Sequence, residues 1–431
     1  MNNKDIAEVD LQYIWHPCTQ MKDHEVIPII PIKKGYGVYL EDFDGNRYID
    51  AISSWWVNLF GHTNEQISSA IKKQLDELEH VIFAGFTHEP IVRLSKRIVE
   101  LTPTELTRCF YADNGSSGVE VALKMAYHYY KNNREDRDLF VSLTNSYHGE
   151  TIGALSVGDV KLYKETYSSI LINSIQTPVP ADQSIEAAVE AAVALEECLA
   201  NHKDRICALI LEPLVQGAGS MHMYNPLFLK LARELCDKYD TLLIADEVMT
   251  GFGRTGTMFA CQSADISPDF MILSKGLTGG YLPLSIVLTT DKIYDAFYCE
   301  YSEHKAFLHS HSYTGNALAC AAANATLDIF ESDNVIENNL EMADFLAKEV
   351  LVFNKLKEVK STRSQGMIAA VDLMGFDTNR RVGVEIHRYA LDKGVLLRPL
   401  GHTIYFLPPY TITKEQLKYI FQVTYEAIES L

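Results

Sequence analysis

No C-x-x-C pair occurs in the chain, and its eight cysteines, at positions 18, 109, 198, 207, 236, 261, 299 and 320, are scattered. That spacing excludes a disulfide framework and a cysteine zinc site, and reads as mostly buried thiols. Long apolar runs are missing too. The longest, such as Thr241-Leu-Leu-Ile-Ala245, fall far short of the ~20 residues a membrane helix needs. The opening Met-Asn-Asn-Lys-Asp-Ile-Ala-Glu lacks the basic end and apolar stretch of a secretory signal, so a cytoplasmic, membrane-free protein is expected. Positive charge is in deficit: 38 Lys and Arg against 57 Asp and Glu leave −19, with no basic patch to attract nucleic acid or anionic lipid. Walker A, H-E-x-x-H and G-x-S-x-G are absent, and no metal is expected.

What remains is a chain of 431 residues, 47% hydrophobic and 22% charged, enough for a sizeable core. Its length fits about three domains, or one large α/β domain and a smaller companion. No repeat or Pro/Gly-rich linker marks a boundary, so pattern must. Gly37-Val-Tyr-Leu-Glu-Asp-Phe-Asp-Gly-Asn-Arg-Tyr-Ile-Asp50 predicts a hairpin turning at Asp44-Gly45. Ile67, Ile71 and Leu75, then Ile91, Leu94, Ile98 and Leu101, recur at helical spacing. Further on, apolar runs at 207–211, 242–245 and 270–273 alternate with helical segments such as 225–240. Strands apolar on both faces predict a mostly parallel sheet covered by helices. Beyond residue 320, strands at 367–373 and 404–407 predict an α+β unit. The expected division is 1–60 and 321–431 as two parts of a small domain, with 61–320 as the large one.

The chemistry sits behind the buried strands. Asp246-Glu247 follows one run and Ser274-Lys275-Gly276 the next, so a carboxylate and a lysine leave one sheet edge together. They match either an ion pair at the sheet rim or the pyridoxal-phosphate arrangement, a lysine Schiff base with an acid on the pyridinium nitrogen. In Asp113-Asn-Gly-Ser-Ser117-Gly-Val-Glu120, Ser117 and Glu120 have capping-box spacing ahead of the stripe Ala122, Met125, Ala126 and Tyr129. Gly115 and Ser116 would then lie at a helix N-terminus, a phosphate site or simply a capped helix. Tyr147, in Ser146-Tyr-His-Gly149, offers a ring to stack on a cofactor or to pack in the core. Gly251-Phe-Gly253-Arg-Thr-Gly256 spells a dinucleotide fingerprint but is separated from its strand and opens no convincing helix, so that reading is rejected.

Taken in order, Asn114-Gly-Ser-Ser117, Tyr147-His-Gly149, Glu212-Pro-Leu-Val-Gln-Gly217, Ala245-Asp-Glu-Val-Met-Thr-Gly-Phe-Gly-Arg-Thr-Gly256 and Ser274-Lys-Gly276 resemble the class III (ω-amino) aminotransferases, fold-type I pyridoxal-phosphate enzymes. The resemblance implies a seven-stranded, mostly parallel sheet in the large domain. It makes Lys275 the Schiff-base lysine and Asp246 the partner of the ring nitrogen. Gly115 and Ser116 would hold the phosphate of pyridoxal 5'-phosphate, Tyr147 would stack on the ring, and Thr314 would reach the phosphate from the partner subunit of a homodimer. Glu212 and Gln216 would lie by the ring.

Trp15-His-Pro17, Ser53-Ser-Trp55-Trp56, and Leu397-Arg-Pro-Leu-Gly401 with Ile404-Tyr-Phe-Leu-Pro-Pro409 narrow the resemblance to one branch. That branch implies amino transfer from S-adenosylmethionine to 8-amino-7-oxononanoate, giving 7,8-diaminononanoate for biotin synthesis. Trp55 and Trp56 would line the polymethylene chain and Arg398 would bind its carboxylate, with Tyr147, Lys275 and Ser312 also at the substrate; a planar guanidinium and flat indoles suit these tasks. Cys18 departs from the family's Trp-His-Pro-Tyr, whose tyrosine contacts substrate, and Ser312-Tyr313 replaces the usual Gly-Pro. The donor is therefore open between S-adenosylmethionine and lysine. Another class III ω-aminotransferase, an aminomutase and a catalytically silent binding protein are the remaining readings.

Overall fold

A computed structural model describes residues 2–377 and 379–431. The chain divides into two compact units, one of residues 1–65, 344–364 and 368–431, the other of residues 66–343 and 365–367. The expected boundary at 320 falls inside the helix Ala317–Ser332, which this division keeps whole in the second unit.

The main sheet of the second unit has seven strands among the described residues: β1 (Leu106–Ala112), β2 (Leu139–Leu143), β3 (Ser174–Thr177), β4 (Ile206–Leu211), β5 (Leu242–Asp246), β6 (Phe270–Leu273) and β7 (Ser285–Thr290), in the order β1-β7-β6-β5-β4-β2-β3. β7 runs antiparallel to both neighbours; the pairs among β2 to β6 are parallel. β1 therefore points the same way as β2 to β6, and the carboxyl ends of all six lie along one edge. β2, β4, β5 and β6 are buried at every residue, which is why they read as unbroken apolar runs. Five long helices belong to this unit: α1 (Glu89–Leu101), α2 (Gly115–Asn132), α3 (Ile185–His202), α4 (Pro226–Lys238) and α5 (Ala317–Ser332). The expected stripe of α2 is its buried face: Ala122, Met125 and Ala126 share a cluster with Ile210, Ile244, Phe270 and Ile272, and half-buried Tyr129 packs at its margin. Gly118 lets α2 approach the sheet, since a Cβ there would stand 2.9 Å from Ile272 Cγ2. Gly251–Gly256 leads into a 3-10 turn, Ala260–Ala264, and no α-helix opens there, in keeping with the rejected fingerprint.

In the first unit the predicted hairpin is present, with Tyr39–Asp42 and Arg47–Asp50 paired Tyr39↔Ile49, Leu40↔Tyr48 and Glu41↔Arg47. Ile32–Tyr36 and Val395–Leu396 complete a four-stranded sheet. A second sheet takes Val359–Gln365, Ile368–Leu373 and Thr403–Phe406, and the helix Lys414–Glu429 buries Leu417, Ile420, Phe421 and Val423. Among the described residues no helix is long and apolar enough to cross a membrane.

Candidate active site

The edge formed by the strand carboxyl ends collects most of the residues singled out in the sequence. Asp246 is the last residue of β5; its register partner Ile272 on β6 lies just before Ser274-Lys275. Asp246 is buried, its Oδ2 accepting from His148 Nδ1 at 2.7 Å and its Oδ1 from the Val248 amide at 3.1 Å. The next carboxylate does different work. Glu247 accepts from the amides of Ala260 and Cys261 at 2.9 and 2.8 Å and from Thr250 Oγ1 at 2.9 Å, pinning the loop that carries Gly251 to Gly256. Burial raises the Glu247 carboxyl above its usual range.

Lys275 leaves β6 with φ +46, a left-handed conformation that a non-glycine residue adopts only under constraint. Burial lowers its amine from 10.5 to about 8, against the pull of Asp246 and Glu212. Glu212, at the end of β4, moves the other way. Burial, with Asp246 adding to it, pushes its carboxyl up to about 7 in spite of His148 and of bonds from the Tyr147 and Gly217 amides, both at 2.9 Å. Burial thus brings a carboxyl and an amine close to neutral pH on one sheet edge, as acid–base chemistry there requires.

α2 begins where the phosphate was expected, with one correction. Asn114, not Ser117, is the cap: its side-chain oxygen accepts from the Ser117 amide at 3.0 Å. Glu120 does not close a capping box but accepts from the amides of Gly153 and Ala154 at 2.6 and 3.3 Å. The cap lies three residues early because the extended backbone of Asn114 ends β1's exit and helical geometry starts at Gly115. The amides of Gly115 and Ser116 have no partner within a helix of this kind. The loop after β2 folds over that end: Gly149 has φ +121, and a Cβ on it would fall 1.9 Å from Ser116 Oγ, which accepts from the Glu150 amide at 3.2 Å. Tyr147, half-buried, packs edge-on to Tyr163 and donates to Glu150. Gln216 is buried, donating to the Thr144 carbonyl at 2.9 Å while its Oε1 has no partner among the described residues. Thr314 Oγ1 bonds the backbone of His311, and Ser312 accepts from His80 through its carbonyl.

The profile of the family described as aminotransferase class-III matches residues 19–428. The chain belongs to the class III aminotransferases. A Helicobacter pylori relative, named adenosylmethionine-8-amino-7-oxononanoate aminotransferase, is 54% identical over 424 residues, covering 96% of this chain and 95% of that protein. The crystal structure of the Methanocaldococcus jannaschii aminotransferase of the same name is 37% identical, with a TM-score of 0.96 over 100% of this chain and 99% of that one. An amine transaminase from an uncultivated Pseudomonas species, solved in its pyridoxal-phosphate-bound form, is 31% identical with a TM-score of 0.92, covering 97% and 98%. This class III aminotransferase has the fold-type I architecture, and its cofactor is pyridoxal 5'-phosphate. Its residues fit that group. The open N-terminus of α2 suits a phosphate. Asp246 is a buried carboxylate at a strand end, where a protonated ring nitrogen would relieve the cost of its burial.

Of the residues expected at the substrate, the first unit of the aminotransferase holds Trp55, Trp56 and Arg398, and the second holds Tyr147, Lys275 and Ser312. The Trp pair divides: Trp55 is 40% exposed, whereas Trp56 is 5% exposed and donates its indole N–H to Tyr405 at 3.0 Å. The Arg398 guanidinium lies 4.5 Å from the Trp55 ring and donates to the Cys18 carbonyl at 3.1 Å, so three residues far apart in sequence meet. Ser53, Ser54, Trp55 and Trp56 have φ of +51, +46, +72 and +74, one turn of left-handed helix. Asp50 holds it, as described below. Sequence reasoning missed His148, Asn114 and Asp50. His148 stood beside Tyr147 and Asn114 beside Gly115, adjacency being the only signal; Asp50 was read as the end of a strand.

Proposed function

We propose that this aminotransferase converts 8-amino-7-oxononanoate to 7,8-diaminononanoate with S-adenosylmethionine as donor, in the cytoplasm, as a homodimer in which Thr314 serves the partner's phosphate. The observation that carries the substrate assignment is Arg398 stacked on Trp55, a fixed guanidinium with an aromatic wall, suited to a carboxylate on a long apolar chain. The name shared by the Helicobacter and Methanocaldococcus relatives supports it.

When bound, pyridoxal 5'-phosphate supplies an electrophilic carbon for the amino group and a pyridine ring that spreads the charge left by a lost C–H proton. The α2 amides of Gly115 and Ser116 would hold its phosphate, Tyr147 its ring face, and Asp246 a proton on its ring nitrogen, with His148 and the Val248 amide orienting that carboxylate. Lys275 would tether the cofactor and, when freed, would carry the proton from the substrate α-carbon to C4′. An amine lowered to about 8 retains a useful unprotonated fraction near neutrality. Arg398 would hold the carboxylate of the keto acid, and Lys275 would move the proton in reverse, one base serving both halves of a ping-pong cycle.

A single-turnover spectrum tests this. S-adenosylmethionine alone should bleach the visible band of the yellow enzyme, and 8-amino-7-oxononanoate should restore it. Conversion by lysine alone would move the donor assignment, which Cys18 leaves open; conversion by neither would leave only the broader class.

A further inference from the structure

We propose that Asp50 is a positioning residue for the keto acid, holding Ser53–Trp56 in a left-handed turn so that the Trp55 indole lies against Arg398. The inference rests on the substrate reading above and adds to it the device that builds the carboxylate site.

One carboxylate makes four contacts. Asp50 Oδ1 accepts from the Ile52 amide at 3.2 Å and the Ser54 amide at 3.0 Å; Oδ2 accepts from Ser54 Oγ at 2.7 Å and from His62 Nε2 at 3.0 Å. Asp50 is fully buried, and burial alone would raise its carboxyl, yet His62 and the Ser54 bonds bring it below the usual range. Both ends of the turn are tied elsewhere, Ser53 Oγ to the Leu407 carbonyl at 2.7 Å and the Trp56 indole to Tyr405. Nothing in Ser-Ser-Trp-Trp favours positive φ, since side chains with a Cβ avoid it. Such strain persists where neighbours over-determine it, and it gathers at ligand clamps. The turn's product is one orientation: Trp55, the exposed member of the pair, facing the guanidinium. A right-handed turn of the same four residues would direct residue 55 elsewhere.

The test uses holoenzyme and two readouts: affinity for nonanoate, a nine-carbon carboxylate without the reacting ketone, by titration calorimetry, and the two half-reactions measured separately. Asp50→Asn should weaken nonanoate and raise the half-saturating keto-acid concentration roughly three- to thirty-fold, the range of a lost cation–π contact. The donor half-reaction should stay within about twofold, because only uniform binding of the keto acid is affected. Adding Ser54→Gly should restore most of the loss, since glycine takes the left-handed conformation without the carboxylate; a merely structural Asp50 would not be rescued this way. Should Asp50→Asn not accumulate as folded enzyme, Ser54→Ala, which removes one bond to Asp50, should shift nonanoate affinity in the same direction by less. Unchanged nonanoate affinity in these variants, or equal slowing of both half-reactions, overturns the proposal. Arg398→Ala separates the two levels: if it abolishes nonanoate binding while Asp50→Asn leaves it intact, the substrate reading stands and the positioning role falls. If Arg398→Ala changes nothing, both fall.

Discussion

Lys275 carries a cost that the chemistry repays only in part. Burial lowers its amine from 10.5 to about 8, which is about 3 kcal/mol against the protonated form in the cofactor-free fold. The unfolded chain binds that proton more tightly, so the penalty is complete below pH 8, shrinks as pH rises from 8 to 10.5 and vanishes above. Lys275→Met should therefore abolish transamination yet stabilise the cofactor-free protein at pH 7 by about 1–3 kcal/mol, in denaturant titrations, with the gain gone near pH 10.5. A pH-independent difference would mean the amine is not desolvated. Lys275 and Asp246 were legible because each follows a run of apolar residues, and position behind a strand is a sequence property. His148 was not: its contact with Asp246 spans 98 residues and depends on which strands are neighbours.

The N-terminus of α2 shows what elements add. The loop after β2 lies against that end at Gly149, where φ of +121 and a Cβ that would stand 1.9 Å from Ser116 Oγ leave no room for a side chain. Gly149→Ala should weaken pyridoxal-phosphate binding at least about tenfold, read by titrating the cofactor-free protein, because a shifted helix end misplaces the donors. Gly375→Ala, at φ +85 with nothing within 4 Å, is the control, expected to lose only about 1 kcal/mol of stability and no cofactor affinity. Asn114→Ala should lose about 1 kcal/mol of stability as well, the ordinary worth of an N-cap. Helix and hairpin periods were legible throughout, and the buried strands with them. The cap was misplaced by three residues because Ser117 and Asn114 are both good caps and only the backbone decides. The left-handed turn at Ser53–Trp56 had no local signal at all, being imposed by Asp50, Leu407 and Tyr405.

At the scale of the molecule, alternating strands and helices made the parallel sheet legible, but not its order, nor the reversal of β7 between β1 and β6. The second boundary was likewise set by packing: the contact between α5 and α1 has no counterpart in composition. The first unit depends on both ends of the chain, since Val395–Leu396 pairs with Arg47–Asp50. A chain ending at Thr413 loses the helix that buries Leu417, Ile420 and Phe421. Hydrogen exchange should then show the hairpin 39–50 unprotected while β4, β5 and β6 keep their protection; protection retained in the hairpin would mean that the pairing with Val395–Leu396 holds it without that helix.

The bond from Ser53 Oγ to the Leu407 carbonyl joins residues 354 apart in sequence. A ribosome adding about 5–20 residues per second needs roughly 20–70 s to cover that distance. Throughout that interval Asp50 is at hand, but the ties from Ser53 to Leu407 and from the Trp56 indole to Tyr405 cannot form, and the nascent N-terminal segment must wait, exposed to chaperones and proteases. The strands that carry Asp246 and Lys275 have all emerged by then. In a newly made molecule the strand ends proposed to hold the cofactor are complete first, and the end assigned to the keto acid becomes native only as synthesis closes.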